Sequence, residues 1–153
     1  MSSHASANRQ LIERFWGDLY RRDFEAVGSY FAEDGLYEDV PTPDRGARGP
    51  AQVAARLRLG LGPLAAYHHR IRHVVAEGDL VITEHAEEWH WHTGETALLP
   101  FVSVHEIRAG KIARWSDYWD LNTLLGAAPR WWVEQITKGA QGQEWARPAP
   151  DAG

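Results

Sequence analysis

The stretch Ala113-Arg114-Trp115-Ser116-Asp117-Tyr118-Trp119-Asp120-Leu121 follows Arg108-Ala109-Gly110-Lys111. The Ala-Gly pair reads as a hairpin turn, so the stretch reads as the last strand of a sheet. Successive side chains of a strand leave on opposite faces. Trp115, Asp117 and Trp119 therefore share a face. Burying a carboxylate without a partner is costly. A carboxylate between two tryptophans predicts either a buried partner or a pocket in which Asp117 does chemistry.

Working backward, Tyr67 to Ala76, Leu80 to His92 and Thr96 to Arg108 read as three more long strands, and Lys111 to Leu121 completes the set. Glu77-Gly78-Asp79, Thr93-Gly94-Glu95 and Ala109-Gly110 separate them as hairpin turns. Pro100 within the third predicts a bulge or an edge, because proline cannot donate to a sheet ladder. Upstream, Asn8 to Arg22 has an apolar stripe at helical spacing: Leu11, Ile12, Phe15, Trp16, Leu19 and Tyr20. Asp23 to Phe31 reads as a second helix with Asp23 as N-cap, ended by Gly35. Leu36 to Val40 is a short strand, and Pro41 to Gly49 a turn-rich loop. Pro50 opens a helix through Leu59. Trp131 to Lys138 is a closing helix.

Helices first and an antiparallel meander after them is the α+β pattern, with helices gathered on one face of a curved sheet. Such a sheet encloses a cone-shaped cavity, where a site is expected. One domain over residues 1–138 accounts for these elements. Residues 139–153, rich in Gly, Pro, Ala and Gln, are expected as a flexible tail with Trp145 as its anchor.

The composition narrows the function classes. The chain has 153 residues, 44% hydrophobic and 24% charged, which suits one globular domain. A net charge of -5 with no basic stripe argues against nucleic acid as a partner. There are no cysteines, so neither disulfides nor thiolate chemistry is available. No segment approaches the apolar length of a membrane span, and Met1 to Ser6 lacks the pattern of a secretion signal. A cytoplasmic protein that does not engage membranes is expected. The eight tryptophans are enough to line a cavity as well as fill a core.

Alternation selects the candidates for chemistry. Tyr37 and Asp39 share a face of the first strand, and His85, Glu87 and Trp89 share a face of the long strand from Leu80. If these faces converge with that of Asp117, one pocket holds three carboxyl groups, an imidazole and a phenol. Low polarity separates the proton affinities of neighbouring carboxyl groups, so one donates a proton while another accepts. Trp89, Trp115, Trp119, Phe101 and Trp16 are expected to contact a small hydrophobic substrate. His90, His92 and Glu95 suggest a metal site only faintly: they lie near a turn on the face opposite Glu87, and solvated edge residues are expected there. His68, His69 and His73 are expected on the surface or the cavity wall, and His105 has no distinguishing spacing. Gly60 to Pro63 is not a phosphate loop, because no Lys-Ser/Thr follows it. Trp131-Trp132 is expected in the core or at a dimer contact.

Three motifs carry a resemblance. Thr83-Glu84-His85-Ala86-Glu87 is similar to a Thr-Glu-Arg-x-Asp strand, Trp115-Ser116-Asp117-Tyr118-Trp119-Asp120 to Trp-Arg-Asp-Tyr-Phe-Asp, and Leu36-Tyr37-Glu38-Asp39-Val40 to a Tyr-x-Asn strand. In these, and over most of its length, the chain resembles the limonene-1,2-epoxide hydrolase branch of the NTF2-like superfamily. That superfamily also contains ketosteroid isomerases and SnoaL-type polyketide cyclases. The resemblance implies the cone fold, a homodimer and no cofactor or metal. It also implies a one-step epoxide opening: one Asp, with the Tyr/Asn pair, holds and deprotonates water; the other protonates the epoxide oxygen; an Arg bridges the two. Asp117, Glu87 and Tyr37 take the positions of the two acids and the tyrosine. His85 stands where the Arg would be, and Asp39 where the Asn would be. Arginine stays charged and forks across two carboxylates, whereas histidine titrates near neutrality. His85 is therefore expected either as a protonated bridge between Glu87 and Asp117 or as a neutral base. Two rival expectations remain: a proton-transfer enzyme of the ketosteroid isomerase or polyketide cyclase/dehydratase kind, and a binding module without catalysis.

Overall fold

The structure, a computed structural model, describes residues 2–150. In chain order the elements are α1 (Ser3–Tyr20), α2 (Phe24–Ser29), β1 (Phe31–Asp39), β2 (Ala47–Arg48), α3 (Gly49–Leu61), β3 (Ala66–Glu77), β4 (Leu80–His90), β5 (Thr96–Arg108), β6 (Lys111–Tyr118), α4 (Leu121–Ala127) and α5 (Arg130–Ala140). A single 3₁₀ turn, Glu144–Ala146, follows. The strands form one curved sheet in the order β2-β1-β6-β5-β4-β3, with helices packed on it.

The hairpins form where turn chemistry predicts them. Ala109 and Gly110 both have positive φ, 50° and 75°, as a two-residue primed turn requires. They join Arg108 to its partner Lys111. Pro100 faces Ala86 of β4, while pairing of β5 with β6 starts only at Val102. On the β6 side the proline thus lies at an open flank, where its missing N–H costs no ladder bond.

The sheet is not wholly antiparallel: β1 pairs in parallel with β6, with Tyr37 beside Trp115 and Asp39 beside Asp117. The long excursion through α3 and four strands supplies the crossover that parallel neighbours need. Gly35 does not end a helix. It lies inside β1, at a register shift, where a Cβ would come within 2.5 Å of the Ile112 carbonyl oxygen. Glycine here lets two backbones approach more closely than any side chain allows.

α1 starts earlier than its apolar stripe suggests. The Ser2 side chain caps it by accepting from the Ala5 N–H at 3.1 Å. Asn8, buried, donates to the Gly78 carbonyl at 3.1 Å and ties the helix to the β3–β4 turn. Ile12, Phe15, Trp16 and Leu19 are buried against the sheet. Each such side chain contributes about 1.5–3 kcal/mol by leaving water. Asp23 caps α2 as expected, accepting from Ala26 N–H.

The C-terminal region differs most from expectation. Asp120 caps α4 instead of extending β6, and a boundary at residue 138 would cut α5. Residues up to Pro150 are docked: Arg45 N–H donates to the Arg147 carbonyl, Ala149 N–H to that of Pro43, and Trp145 is buried. Residues 151–153 of the expected tail lie outside the described residues. Among the described residues no helix is long and apolar enough to cross a membrane.

Candidate active site

One face of each strand points into the space between sheet and helices. It carries Tyr37 and Asp39 from β1, His85, Glu87 and Trp89 from β4, Phe101, Ser103 and His105 from β5, and Trp115 and Asp117 from β6. All but Asp39 of these are buried. The anticipated faces therefore converge. They wall a cavity of about 280 Å³ to which Tyr37, Asp39, Glu87 and Asp117 all contribute. Trp89, Phe101, Trp115 and Trp119 complete its apolar lining. Leu57 of α3, Leu124 of α4, Trp132 of α5 and Trp145 line it as well. Trp132, buried in the core as expected, is also part of the cavity wall, and so are Trp145 and Ala146.

Asp117 Oδ1 accepts from Ser103 Oγ at 2.5 Å and from Trp115 Nε1 at 2.6 Å. Burial nonetheless pushes this carboxyl well above the usual carboxylate range, and the charge of neighbouring Asp39 adds to the effect. Asp117 therefore holds its proton more tightly than an ordinary carboxyl. Glu87 accepts from Tyr67 Oη at 2.9 Å and from Trp89 Nε1 at 2.8 Å. Burial outweighs these bonds and raises it to about 7. Two acids on one wall thus both hold their protons more tightly than ordinary carboxyl groups.

Asp39 is held differently. Its Oδ1 accepts from Tyr37 Oη at 3.2 Å and Trp119 Nε1 at 2.9 Å, and its Oδ2 from Arg56 at 3.0 Å. Arg56 also forks onto Asp44, at 2.7 and 3.3 Å. The guanidinium holds Asp44 below the usual carboxylate range against the opposing effect of burial. Tyr37 stacks on Trp115 with ring centroids 3.9 Å apart, and burial pushes its hydroxyl well above its ordinary value, so it stays protonated.

His85 does not bridge Glu87 and Asp117, and it does not line the cavity. It lies behind the wall, with Nε2 2.7 Å from Ser103 Oγ and Nδ1 2.7 Å from His69 Nε2. Burial, with His69 and His105 alongside, depresses it to about 2, so the ring is neutral and does not imitate an arginine. Trp16 does not contact the cavity either: it is core, donating to Thr83 Oγ1 at 3.2 Å and packing against His85 at 4.6 Å between ring centroids. Its place in the apolar stripe of α1 foretold burial rather than ligand contact.

Three residues of this arrangement, Ser103, Tyr67 and Arg56, were not anticipated, and His69, expected on the surface or the cavity wall, lies behind the wall. Ser103 had a usable signal, since it lies two positions from Phe101 on the same face. Tyr67 and His69 had the same kind of signal along β3. Arg56, on α3, had none, because its partners lie 12 and 17 residues away in a loop and a strand.

His69, His85 and Glu87 offer three ligand atoms within 4.8 Å of one another, the one group of this kind among the described residues. Each is already committed, the two ring nitrogens to each other and both Glu87 oxygens to Tyr67 and Trp89. His90, on the outer face, meets Glu88 at 2.7 Å, and His92 stacks on Trp131. His105 is buried between Phe15 and Trp115, where burial lowers it to about 3.

The SnoaL-like domain profile matches residues 10–115. Epoxide hydrolase EphG of Mycobacterium tuberculosis is 28% identical over 116 residues, 74% of each chain. Among solved structures, an M. tuberculosis LEH-like epoxide hydrolase superposes with a TM-score of 0.67 at 23% identity, over 88% of this chain and 92% of that one. A SnoaL-like polyketide cyclase homologue from Jannaschia sp. CCS1 reaches 0.74 at 15% identity, over 84% and 97%. At such identities the two superpositions show a shared fold and no more.

Proposed function

Because the chain belongs to the SnoaL-like domain family, whose fold is NTF2-like, we propose that it is a cofactor-independent epoxide hydrolase acting on a small hydrophobic substrate. The observation that carries this reading is a pair of buried carboxyl groups, Asp117 and Glu87, which face one apolar cavity and both hold their protons more tightly than usual. The similarity to EphG supports the choice of substrate class.

Asp117, whose carboxyl holds its proton more tightly than an ordinary one, donates it to the oxirane oxygen. Glu87, with a proton affinity near the working pH, takes a proton from water. The water oxygen bonds to a ring carbon as the carbon–oxygen bond breaks, its electron pair passing to the oxygen that Asp117 protonates. The product is a vicinal diol, with Asp117 ionised and Glu87 protonated. Tyr37 and Asp39, pinned by Arg56 and Trp119, orient the water.

The test is mass spectrometry of products from cyclic and terpenoid epoxides in ¹⁸O-water. Labelled diol is expected, with loss of product in Asp117→Asn. Diol formation at an unchanged rate in Asp117→Asn refutes the assignment, and absence of diol across the panel turns the reading to its rival.

That rival is proton transfer beside a carbonyl, favoured by one observation: His85, where the resemblance has an arginine, is neutral and touches neither Glu87 nor the cavity. Glu87 then removes the α-proton and Asp117 donates to the enolate oxygen. Exchange of a ketone's α-hydrogens in D₂O, lost in Glu87→Gln, would mark it.

We also propose a homodimer through the outer sheet face, where Val75, Ile82, Leu98 and Val102 are exposed. Light scattering on the eluted protein gives the mass that decides this.

A further inference from the structure

Behind Asp117 runs a chain of close contacts that epoxide opening does not use. Ser103 Oγ is 2.5 Å from Asp117 Oδ1, His85 Nε2 is 2.7 Å from Ser103 Oγ, and His69 Nε2 is 2.7 Å from His85 Nδ1. The four residues come from β6, β5, β4 and β3, four consecutive neighbours in the sheet. Ser103 is directly opposite Asp117, and each further link is a diagonal step across adjacent strands on the same face. None of Ser103, His85 and His69 lines the cavity. The inner links are buried, whereas His69 is half-buried beneath Tyr20 of α1, with ring centroids 4.7 Å apart.

Every link is a group that both donates and accepts. The chain therefore has two self-consistent settings. With Asp117 ionised, all hydrogens point toward it: His69 Nε2–H donates to His85 Nδ1, His85 Nε2–H to Ser103, and the Ser103 hydroxyl to Asp117. With Asp117 protonated, all point away: Asp117 donates to Ser103, Ser103 to His85 Nε2, and His85 Nδ1–H to His69 Nε2. One proton passed along the chain converts the first setting into the second. It enters at His69 Nδ1, each bridging hydrogen shifts one link, and the last arrives on Asp117. The two rings change tautomer and no net charge remains on them. Their low basicity, about 2 for His85 and about 4 for His69, suits rings that stay neutral in both settings.

We propose that His69, His85 and Ser103 form a proton wire through which Asp117 exchanges its proton with solvent at the β3 edge of the sheet, away from the cavity. These three are positioning residues, since they act through Asp117 and do not touch substrate. Their catalytic relevance rests on the reading of Asp117 as the acid. An acid at the bottom of a cavity filled by product has no water route in front, and the wire gives it one behind. Rotation of the Ser103 hydroxyl and tautomer exchange of the rings reset the wire between passages.

The test reads the rings themselves, by ¹⁵N NMR of histidine-labelled full-length protein across pH. The groups facing Asp117 are Tyr37 and Asp39 from β1, Glu87 from β4, Ser103 from β5 and Trp115 from β6. Those facing the rings are Trp16 and Tyr20 from α1, Glu87 from β4 and Phe101 and His105 from β5. As Asp117 loses its proton, His69 and His85 are expected to switch together from Nδ1–H to Nε2–H. Ser103→Ala is expected to abolish the switch, and Ser103→Thr, which keeps the hydroxyl, to restore it. His69→Phe, which cuts the outer link, is expected to uncouple His85. A wild-type protein whose rings hold one tautomer throughout overturns the proposal. So does a switch that survives in Ser103→Ala, since Glu87 alone then drives it. This readout needs no substrate, so failure of epoxide hydrolysis in ¹⁸O-water and failure of the wire are separate results.

Discussion

Glu87→Gln should change not only activity but the slope of stability against pH. Burial raises the acid from an ordinary 4.5 to about 7. Between those values the unfolded chain releases the Glu87 proton while the folded chain keeps it. The folded state then binds more protons, so stability falls as pH rises. At ~1.4 kcal/mol per pH unit the loss accumulates to about 3 kcal/mol by pH 7 and is constant above it. Below pH 4.5 both states are protonated and the penalty vanishes. Glutamine has no such slope. It has one acceptor oxygen for two donors, Tyr67 Oη and Trp89 Nε1, and the tyrosine hydroxyl can rotate but the indole N–H cannot. One lost hydrogen bond costs about 1 kcal/mol at any pH. The variant should therefore be less stable than wild type by about 1 kcal/mol at pH 4.5, equal to it near pH 5, and more stable by about 2 kcal/mol at pH 8. For a chain of this length the swing corresponds to roughly 6 to 12 °C in Tm. Asp117 gives both proteins a slope of the same sign; the Glu87 charge is one cause of its shift, so its slope is shallower in the variant and adds to the difference in the same direction. Thermal melts of both proteins from pH 4.5 to 8 supply the comparison. Parallel curves would show that Glu87 ionises in the folded protein as it does in water, and the account of a buried base would fail.

Two other perturbations probe the frame around the site. Arg56→Met leaves Asp39 and Asp44 without their shared cation and should cost about 3 kcal/mol at pH 7, because the partners stay partly buried. Asp44 is depressed, so its share of that stabilisation is lost as pH falls through its folded value; Tm values of the two proteins should converge toward pH 3, and a constant gap would contradict the ion pair. Trp145→Ala should cost about 3–5 kcal/mol and free the segment after Ala140, seen as faster proteolytic cleavage there, while unchanged cleavage would mean that the indole is not its anchor.

The sequence by itself determined the fold class, the hairpins, the N-cap at Asp23 and the faces presented by three strands. Each rests on a local rule: a period of two along a strand, a primed turn at Ala109-Gly110, a side chain within reach of its own helix end. Those rules sufficed to bring Tyr37, Asp39, Glu87 and Asp117 to one cavity. They could not decide what each group touches there. His85 faces the interior as its spacing requires, yet its partners are Ser103 and His69 on neighbouring strands, and that pairing follows from register. Arg56 reaches Asp39 because α3 crosses the cavity mouth, a matter of packing angle that no spacing records. The parallel placement of β1 beside β6, the retreat of Trp16 into the core and the closure of the cavity by Trp132 and Trp145 are of the same kind. Proton affinities also belong to the tertiary structure alone. Glu87 and Asp117 are ordinary carboxyl groups in the chain, and hold their protons more tightly only where folding removes their water and sets Asp39 beside them.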